Sequence, residues 1–306
     1  MMPARERRVL EKHDDIGEDR EVEPPRGVLY PQRRSTLGSL TRLPPSPDLA
    51  PFVAHYWIIT WDLRGHAPQT QETLPHPSVH IALERGRSGI YGVVKGRFTR
   101  VIEGKGRVFG IKFRPGGFYP FARCPISRFT NRVVPLDDAS LGTSLGTSLG
   151  TSLGTSLTAW PGASLETNVL AKRSEHAMVE VAEDYLRRRD PQRDPMAEKI
   201  GAIVEEIATD RSLTTVDIVG RRFGISPRSL QRLFSRYIGV SPKWVINRHR
   251  LHEVVDRLAK GETVDWTRLA LDLGYFDQAH FIRDFKAIIG RTPGDYQFGE
   301  VRRQRS

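Results

Sequence analysis

Ser226-Pro227-Arg228-Ser229-Leu230-Gln231-Arg232-Leu233-Phe234 runs on to Tyr237-Ile238-Gly239-Val240-Ser241-Pro242. The pattern returns at Asp277-Gln278-Ala279-His280-Phe281-Ile282-Arg283-Asp284-Phe285, which runs on to Ile288-Ile289-Gly290-Arg291-Thr292-Pro293. Each stretch opens on a helix-capping residue, continues with helical spacing and closes on Ile-Gly-x-[Ser/Thr]-Pro. Each also follows a shorter helical piece that ends in glycine, Val219-Gly220-Arg221-Arg222-Phe223-Gly224 and Leu269-Ala270-Leu271-Asp272-Leu273-Gly274. Helix, glycine-containing turn and capped second helix is the sequence form of a helix-turn-helix. In that motif the second helix enters the major groove of DNA while the first braces it across the backbone. The spacing therefore predicts two DNA-reading helices.

In the first copy Leu230, Leu233, Phe234 and Tyr237 share one face at i, i+3, i+4, i+7 spacing, the pattern of a core stripe. Arg228, Gln231, Arg232, Ser235 and Arg236 fall opposite, with Ser229 near the helix start. Arg and Gln make bidentate contacts to guanine and adenine respectively. Ser226 is placed to cap, and Pro227 sits at the first helical position, where its missing N–H costs nothing. In the second copy Phe281, Phe285 and Ile288 form the stripe. Asp277 caps, Gln278 opens the helix, and Ala279, His280, Arg283 and Lys286 face outward.

Charge separates the copies. From Arg221 to Arg250 the chain carries Arg221, Arg222, Arg228, Arg232, Arg236, Lys243, Arg248 and Arg250 and no Asp or Glu. From Asp265 to Ile289 it carries Arg268, Arg283 and Lys286 against Asp265, Asp272, Asp277 and Asp284. Phosphate neutralisation supplies most non-specific DNA affinity, so the first copy is expected to provide the main electrostatic grip. A charge run is ordinarily a solvated helix face; here it coincides with the outward face of a recognition helix.

The C-terminal hundred or so residues resemble the AraC/XylS family of bacterial transcription regulators. The resemblance runs over Leu269-Ala270, Leu273-Gly274-Tyr275, Asp277 to Phe281, Arg283 to Lys286 and Gly290 to Tyr296. It continues more loosely through Ser226, Leu230, Arg232, Leu233, Phe234, Gly239, Pro242 and Arg250-Leu251. It implies two helix-turn-helix units joined by a linking helix, here expected over Pro242 to Lys260, with Trp244, Val245, Leu251, Val254, Val255 and Leu258 buried against both units. Two recognition helices about 34 Å apart would then read successive major grooves. One departure is Gly220, where the second copy has Ala270; glycine there weakens a helix by about 1 kcal/mol.

Composition agrees with such a protein. The 306 residues carry a net charge of +11 with a pI near 10.0, and 38% are hydrophobic. No apolar run approaches a membrane span, and the charged start from Met1 to Arg20 is unlike a signal peptide. A single cysteine, Cys124, excludes an internal disulfide. The expectation is a cytoplasmic, nucleoid-associated protein with double-stranded DNA as its main partner and no membrane partner. The resemblance adds a small-molecule effector, a second copy of the chain, and RNA polymerase in the case of an activator. Phosphate-binding glycine motif, nucleophile elbow and metal-ligand cluster are all missing from the sequence, so no catalytic residue, cofactor or metal is expected.

The fold class expected is α+β, a β-rich N-terminal domain followed by an all-α C-terminal domain. Residues 1–40 read as a disordered extension and 41–135 as a β-rich domain for sensing or dimerisation. Residues 136–195 read as a linker holding Ser-Leu-Gly-Thr repeats and a helix from Leu165 to Arg189. The double helix-turn-helix domain spans 196–298, opening with a helix from Met196 to Ala208, and 299–306 form a basic tail. Strand-like runs are Tyr56 to Trp61, Val79 to Leu83, Gly89 to Val94, Phe98 to Ile102 and Arg107 to Phe113. The stretches Leu74 to His80 and Gly110 to Gly117 resemble an uncharacterised β-rich domain found ahead of AraC-type heads.

Four further features have a sharp and a plain reading. His76 and His80 are metal-ligand types, yet on a strand they stand roughly 13 Å apart. Trp57 and Trp61 share a strand face and line a pocket or, as the plainer reading, pack in a core or a dimer contact. Arg114 beside Pro115-Gly116-Gly117 is a weak candidate for an anionic effector. Cys124 is a redox sensor, a methyl acceptor or a small buried hydrophobe, the last being the plainer reading.

Overall fold

The computed structural model describes residues 38–74, 76–136, 162–259, 264–272, 275 and 277–296. The extension from 1 to 37, the Ser-Leu-Gly-Thr repeats, Lys260, Leu273-Gly274, the tail from 299 and the side chain of Leu258 lie outside the described residues.

Alternating side chains build the first domain on strands β1 (Gly38–Leu43) and β2 (Val53–Asp62). β3 (Gln69–Thr73), β4 (His80–Leu83), β5 (Gly89–Tyr91) and β6 (Phe98–Ile102) follow. β7 (Lys105–Phe113) and β8 (Val133–Pro135) complete the set. Six of these pair antiparallel in the order β1-β2-β7-β4-β5-β8, while β3 and β6 form a separate pair. One face carries Tyr56, Ile58, Ile81, Leu83, Ile90, Phe109 and Ile111, all buried. The opposite face carries Trp57 and Trp61, which lie over Gly110 and Gly106 of the neighbouring strand. Both tryptophans pack with Leu63, Ala82 and Val108 in a smaller core.

Order begins earlier than the sequence expectation. Gly38 to Leu43 pairs along β2, so the sheet's edge strand starts inside the stretch assigned to the extension. A second difference concerns the segment expected as one helix, which is two: α2 (Gly162–Leu170) and α3 (Glu175–Arg187), the latter capped by Ser174. A short α1 (Tyr119–Ala122) precedes them. α2 and α3 lay Leu165, Val169, Met178, Ala182 and Leu186 against the sheet's core face. They therefore complete the first domain's core, and Glu183 of α3 accepts hydrogen bonds from the Ser46 amide and the Tyr56 hydroxyl. Such long-range burial leaves no mark in the local pattern of a helix.

The second domain is all helical: α4 (Pro195–Thr209), α5 (Val216–Phe223), α6 (Pro227–Tyr237), α7 (Pro242–Ala259), α8 (Trp266–Asp272) and α9 (Gln278–Ile289). The architecture is α+β, a sheet domain followed by a helical domain. α4 buries Ile200, Ile203, Val204 and Ile207 in the same core as Leu230, Phe234 and Val245.

Met178 is fully buried between α3 and the sheet. Met178→Ala should lower the unfolding free energy by about 2–5 kcal/mol through lost contact and residual cavity, measured by denaturant unfolding. A helix merely bridging two domains would show almost no change.

Candidate nucleic-acid interface

Each reading helix is set by its caps. The Ser226 hydroxyl accepts from the Ser229 amide at 3.2 Å, and Pro227 takes the first helical position. The Asp277 carboxylate accepts from the His280 amide at 2.6 Å. The preceding turns close with one geometry: the Ile225 amide donates to the Gly220 carbonyl, and the Tyr275 amide to the Ala270 carbonyl, both at 2.9 Å.

The shared Ile-Gly-x-[Ser/Thr]-Pro ending is a second device used twice. Gly239 and Gly290 turn the chain at φ values of 93° and 85°, a region that favours glycine. Ser241 and Thr292 then cap the next helical segments through the Trp244 and Asp295 amides, and Pro242 and Pro293 follow. The same two turns face the first domain. A side chain at Gly239 would meet Thr130 and Ile126, and one at Gly290 would meet Arg97.

α7 joins the units. Its Val245 and Ile246 bury in the first unit's core, and its Leu251, Val254 and Val255 in the second's. Asn247 donates to Asp284 of α9 at 3.1 Å, and the Tyr275 hydroxyl donates to the same carboxylate oxygen. Burial and that carboxylate push the Tyr275 phenol well above its usual range.

On α6, Arg228, Gln231, Arg232, Ser235 and Arg236 are exposed and Ser229 is half-buried beside its cap. On α9, Gln278, Ala279, Arg283 and Lys286 are exposed. His280 is half-buried, edge-on to the Tyr275 ring. The expected core stripes lie inward, with Leu230, Phe234, Tyr237, Phe281, Phe285 and Ile288 buried and Leu233 half-buried.

The cationic run is not one surface. Arg248 and Arg250 are 2% and 5% exposed, with Arg248 turned to His76 and His249, and Arg250 bound to the Asp210 carbonyl. Arg222 pairs with Glu206 at 3.2 Å. Arg236 donates two hydrogen bonds to the Tyr119 hydroxyl of the first domain and lies over that ring. This bond holds its guanidinium above its usual range. Arg221, Arg228, Arg232 and Lys243 remain as exposed cations. Of the eight cations counted from Arg221 to Arg250, Arg222, Arg236, Arg248 and Arg250 are thus engaged within the protein, by partners distant in sequence.

The other candidates separate as well. Arg114 pairs with Glu205 of α4 at 3.2 Å, and the Pro115-Gly116-Gly117 loop meets that helix backbone to backbone at Ala197 and Gly201. Arg114 thus belongs to the seam between domains. A cavity of about 310 Å³ lies along this seam, lined by Ala50, Arg114, Arg193 and Glu205 among others. Cys124 is half-buried, and burial pushes its thiol up. Among the described residues no group of three His, Cys, Asp or Glu side chains is placed to hold a metal, and no helix is long and apolar enough to cross a membrane.

Two capped helix-turn-helix units on one linking helix define a DNA-binding class of domain. Residues 219–298 match the model of a helix-turn-helix domain, and residues 41–135 match a domain of unknown function (DUF6597). The chain is 33% identical over 73 residues to XylDLEGF operon transcriptional activator 1 of Pseudomonas putida, covering 23% of this chain and 22% of the activator. It is 29% identical over 117 residues to the uncharacterized HTH-type transcriptional regulator YtdP of Bacillus subtilis, covering 34% of this chain and 15% of that protein. The chain thus spans about a fifth or less of the length of these curated relatives. Among solved structures, ToxT from Vibrio cholerae is 14% identical with a TM-score of 0.30, over 85% of this chain and 97% of that one. The second domain is a double helix-turn-helix.

Gly220 shows how tightly the first turn closes: an added Cβ would stand 2.7 Å from the Ile225 carbonyl oxygen. Helix propensity alone favours alanine by about 1 kcal/mol, but the contact is with backbone that the turn holds in place. Gly220→Ala should therefore lower the melting temperature; a rise would show that the turn gives way freely.

Proposed function

We propose that this chain is a sequence-specific DNA-binding transcription regulator of the AraC/XylS type, not an enzyme. The observation that carries the reading is the pair of capped helices, α6 and α9, which turn polar side chains outward from cores that share α7. Arg228, Gln231 and Arg232, with Ser229 and Ser235 beside them, form the first reading set. Gln278, Ala279, His280, Arg283 and Lys286 form the second. Each helix enters a major groove, and the two grooves are successive turns of the duplex. Arg221, Arg228, Arg232 and Lys243 supply phosphate grip, while Arg236 stays with Tyr119. The relative from Pseudomonas putida, named a transcriptional activator, supports this class of activity.

The sheet domain, with α2 and α3, serves effector sensing or self-association. Its contacts with α4, α6 and α7 give it a physical route to the reading helices. DNA, a small-molecule effector, a second copy of the chain and, for an activator, RNA polymerase are the partners in this reading, and the cytoplasm with its nucleoid is the place.

The test uses an operator selected by the purified protein from a random DNA pool. Replacing Arg228 and Arg232 with Ala should weaken operator binding by about ten-fold or more and relax sequence preference, measured by gel-shift titration. Arg236→Ala should change affinity little, its guanidinium being already engaged. Equal losses from all three would put Arg236 on the DNA, and no loss from Arg228 and Arg232 would remove α6 from the groove.

A further inference from the structure

Two side chains of the sheet domain are buried in cores that otherwise belong to the helical domain. Val93 is 1% exposed and lies in the core of Leu230, Phe234 and Tyr237, behind the first reading helix α6. Leu74 is 3% exposed and lies in the core of Phe281, Phe285 and Ile288, behind the second reading helix α9. Among the described residues each is the one buried side chain that the sheet domain gives to that core. Removing either would leave a cavity beneath a reading helix, because close-packed cores refill such space only in part.

Backbone contacts hold both in place. After β5 the chain runs beside residues 129–132: the Gly92 amide donates to the Arg132 carbonyl at 3.1 Å, and the Asn131 amide to the Val93 carbonyl at 3.0 Å. An added Cβ at Gly92 would run into the Phe129 carbonyl, so glycine is what lets these two backbones close. From the same segment the Thr130 hydroxyl donates to the Gly239 carbonyl at 2.6 Å, in the turn that ends the first unit. Leu74 directly follows β3, and two residues on, His76 meets Arg248 of α7 at 3.2 Å.

The strap from Val93 to Arg97 then crosses from one unit to the other. The Trp244 indole, near the start of α7, donates to the Lys95 carbonyl at 3.1 Å. Gly96 passes α9 so closely that an added Cβ would stand 3.3 Å from the Ala287 carbonyl oxygen. Arg97, paired with Glu72 at 2.8 Å, lies against Gly290. Consecutive residues thus touch the first core, the linking helix and the second unit's terminal turn.

We propose that Val93 and Leu74 are positioning residues for DNA reading, each closing from the sheet domain the core behind one reading helix, Val93 for α6 and Leu74 for α9. α7 spaces the two units, and these side chains steady each helix on its own core. The consequence for DNA rests on the function proposed above; the packing does not.

The test is amide hydrogen exchange of the full-length protein without DNA, followed helix by helix, and then selection of bound sequences from a random DNA pool. Leu74→Ala should speed exchange in α9 by about thirty-fold or more and leave α6 near its wild-type rate, while Val93→Ala should speed α6 by about ten-fold and spare α9. Leu74→Met, of similar volume, should restore the α9 rate. Should Leu74→Ala not fold, Leu74→Val makes the same comparison with a smaller cavity. On DNA, Leu74→Ala should relax base preference at the positions that replacing Arg228 and Arg232 leaves specified, and keep it at the others. Exchange raised equally in both helices, or in neither, would overturn the assignment, as would a selected site that Leu74→Ala weakens evenly at every position. Faster exchange confined to α9, with no operator selected even by the wild-type protein, would uphold the packing and overturn the DNA reading alone.

Discussion

One helix carries two hydrophobic cores. α7 commits Val245 and Ile246 to the first helix-turn-helix and Leu251, Val254 and Val255 to the second. Each such side chain contributes about 1.5–3 kcal/mol on burial, so neither unit can rotate about α7 without exposing part of its own core. The polar residues between these groups take the remaining directions. Asn247 turns to α9 through Asp284, and Arg248 to the sheet domain through His76. The spacing of the reading helices is thus a property of a single helix rather than of the loops around it.

What could be read from the sequence was whatever neighbouring residues decide among themselves. Caps at Ser226 and Asp277, prolines at first helical positions and glycines at turns are short-range devices, and the doubled pattern exposed them by repetition. Core stripes at helical spacing were legible for the same reason. The fates of Arg236, Arg248 and Arg250 were not, because each is settled by a partner far along the chain: Tyr119, His76 and Asp210. The placement of α2 and α3 on the sheet was hidden in the same way, a helix showing which face is apolar but not what will cover it.

The two units share a frame but not a surface. The inward turn of Arg248 and Arg250 narrows the difference in charge that the sequence displays between them, leaving the first unit's exposed cations near its turn and reading helix. The Pro115-Gly116-Gly117 loop, which as sequence looked like a turn beside a lone arginine, is instead where two backbones meet, at Ala197 and Gly201. Small residues there let the sheet domain approach α4 more closely than any side chain would allow.

The bond between Arg236 and Tyr119 makes the phenol a rival of anything else that would take that guanidinium. Rivalry of this kind is reciprocal: a phosphate that captured Arg236 would loosen the seam by the same free energy with which the seam resists the phosphate. As the structure stands the phenol holds that guanidinium, so one cation of α6's outer face is committed to the grip between the two domains.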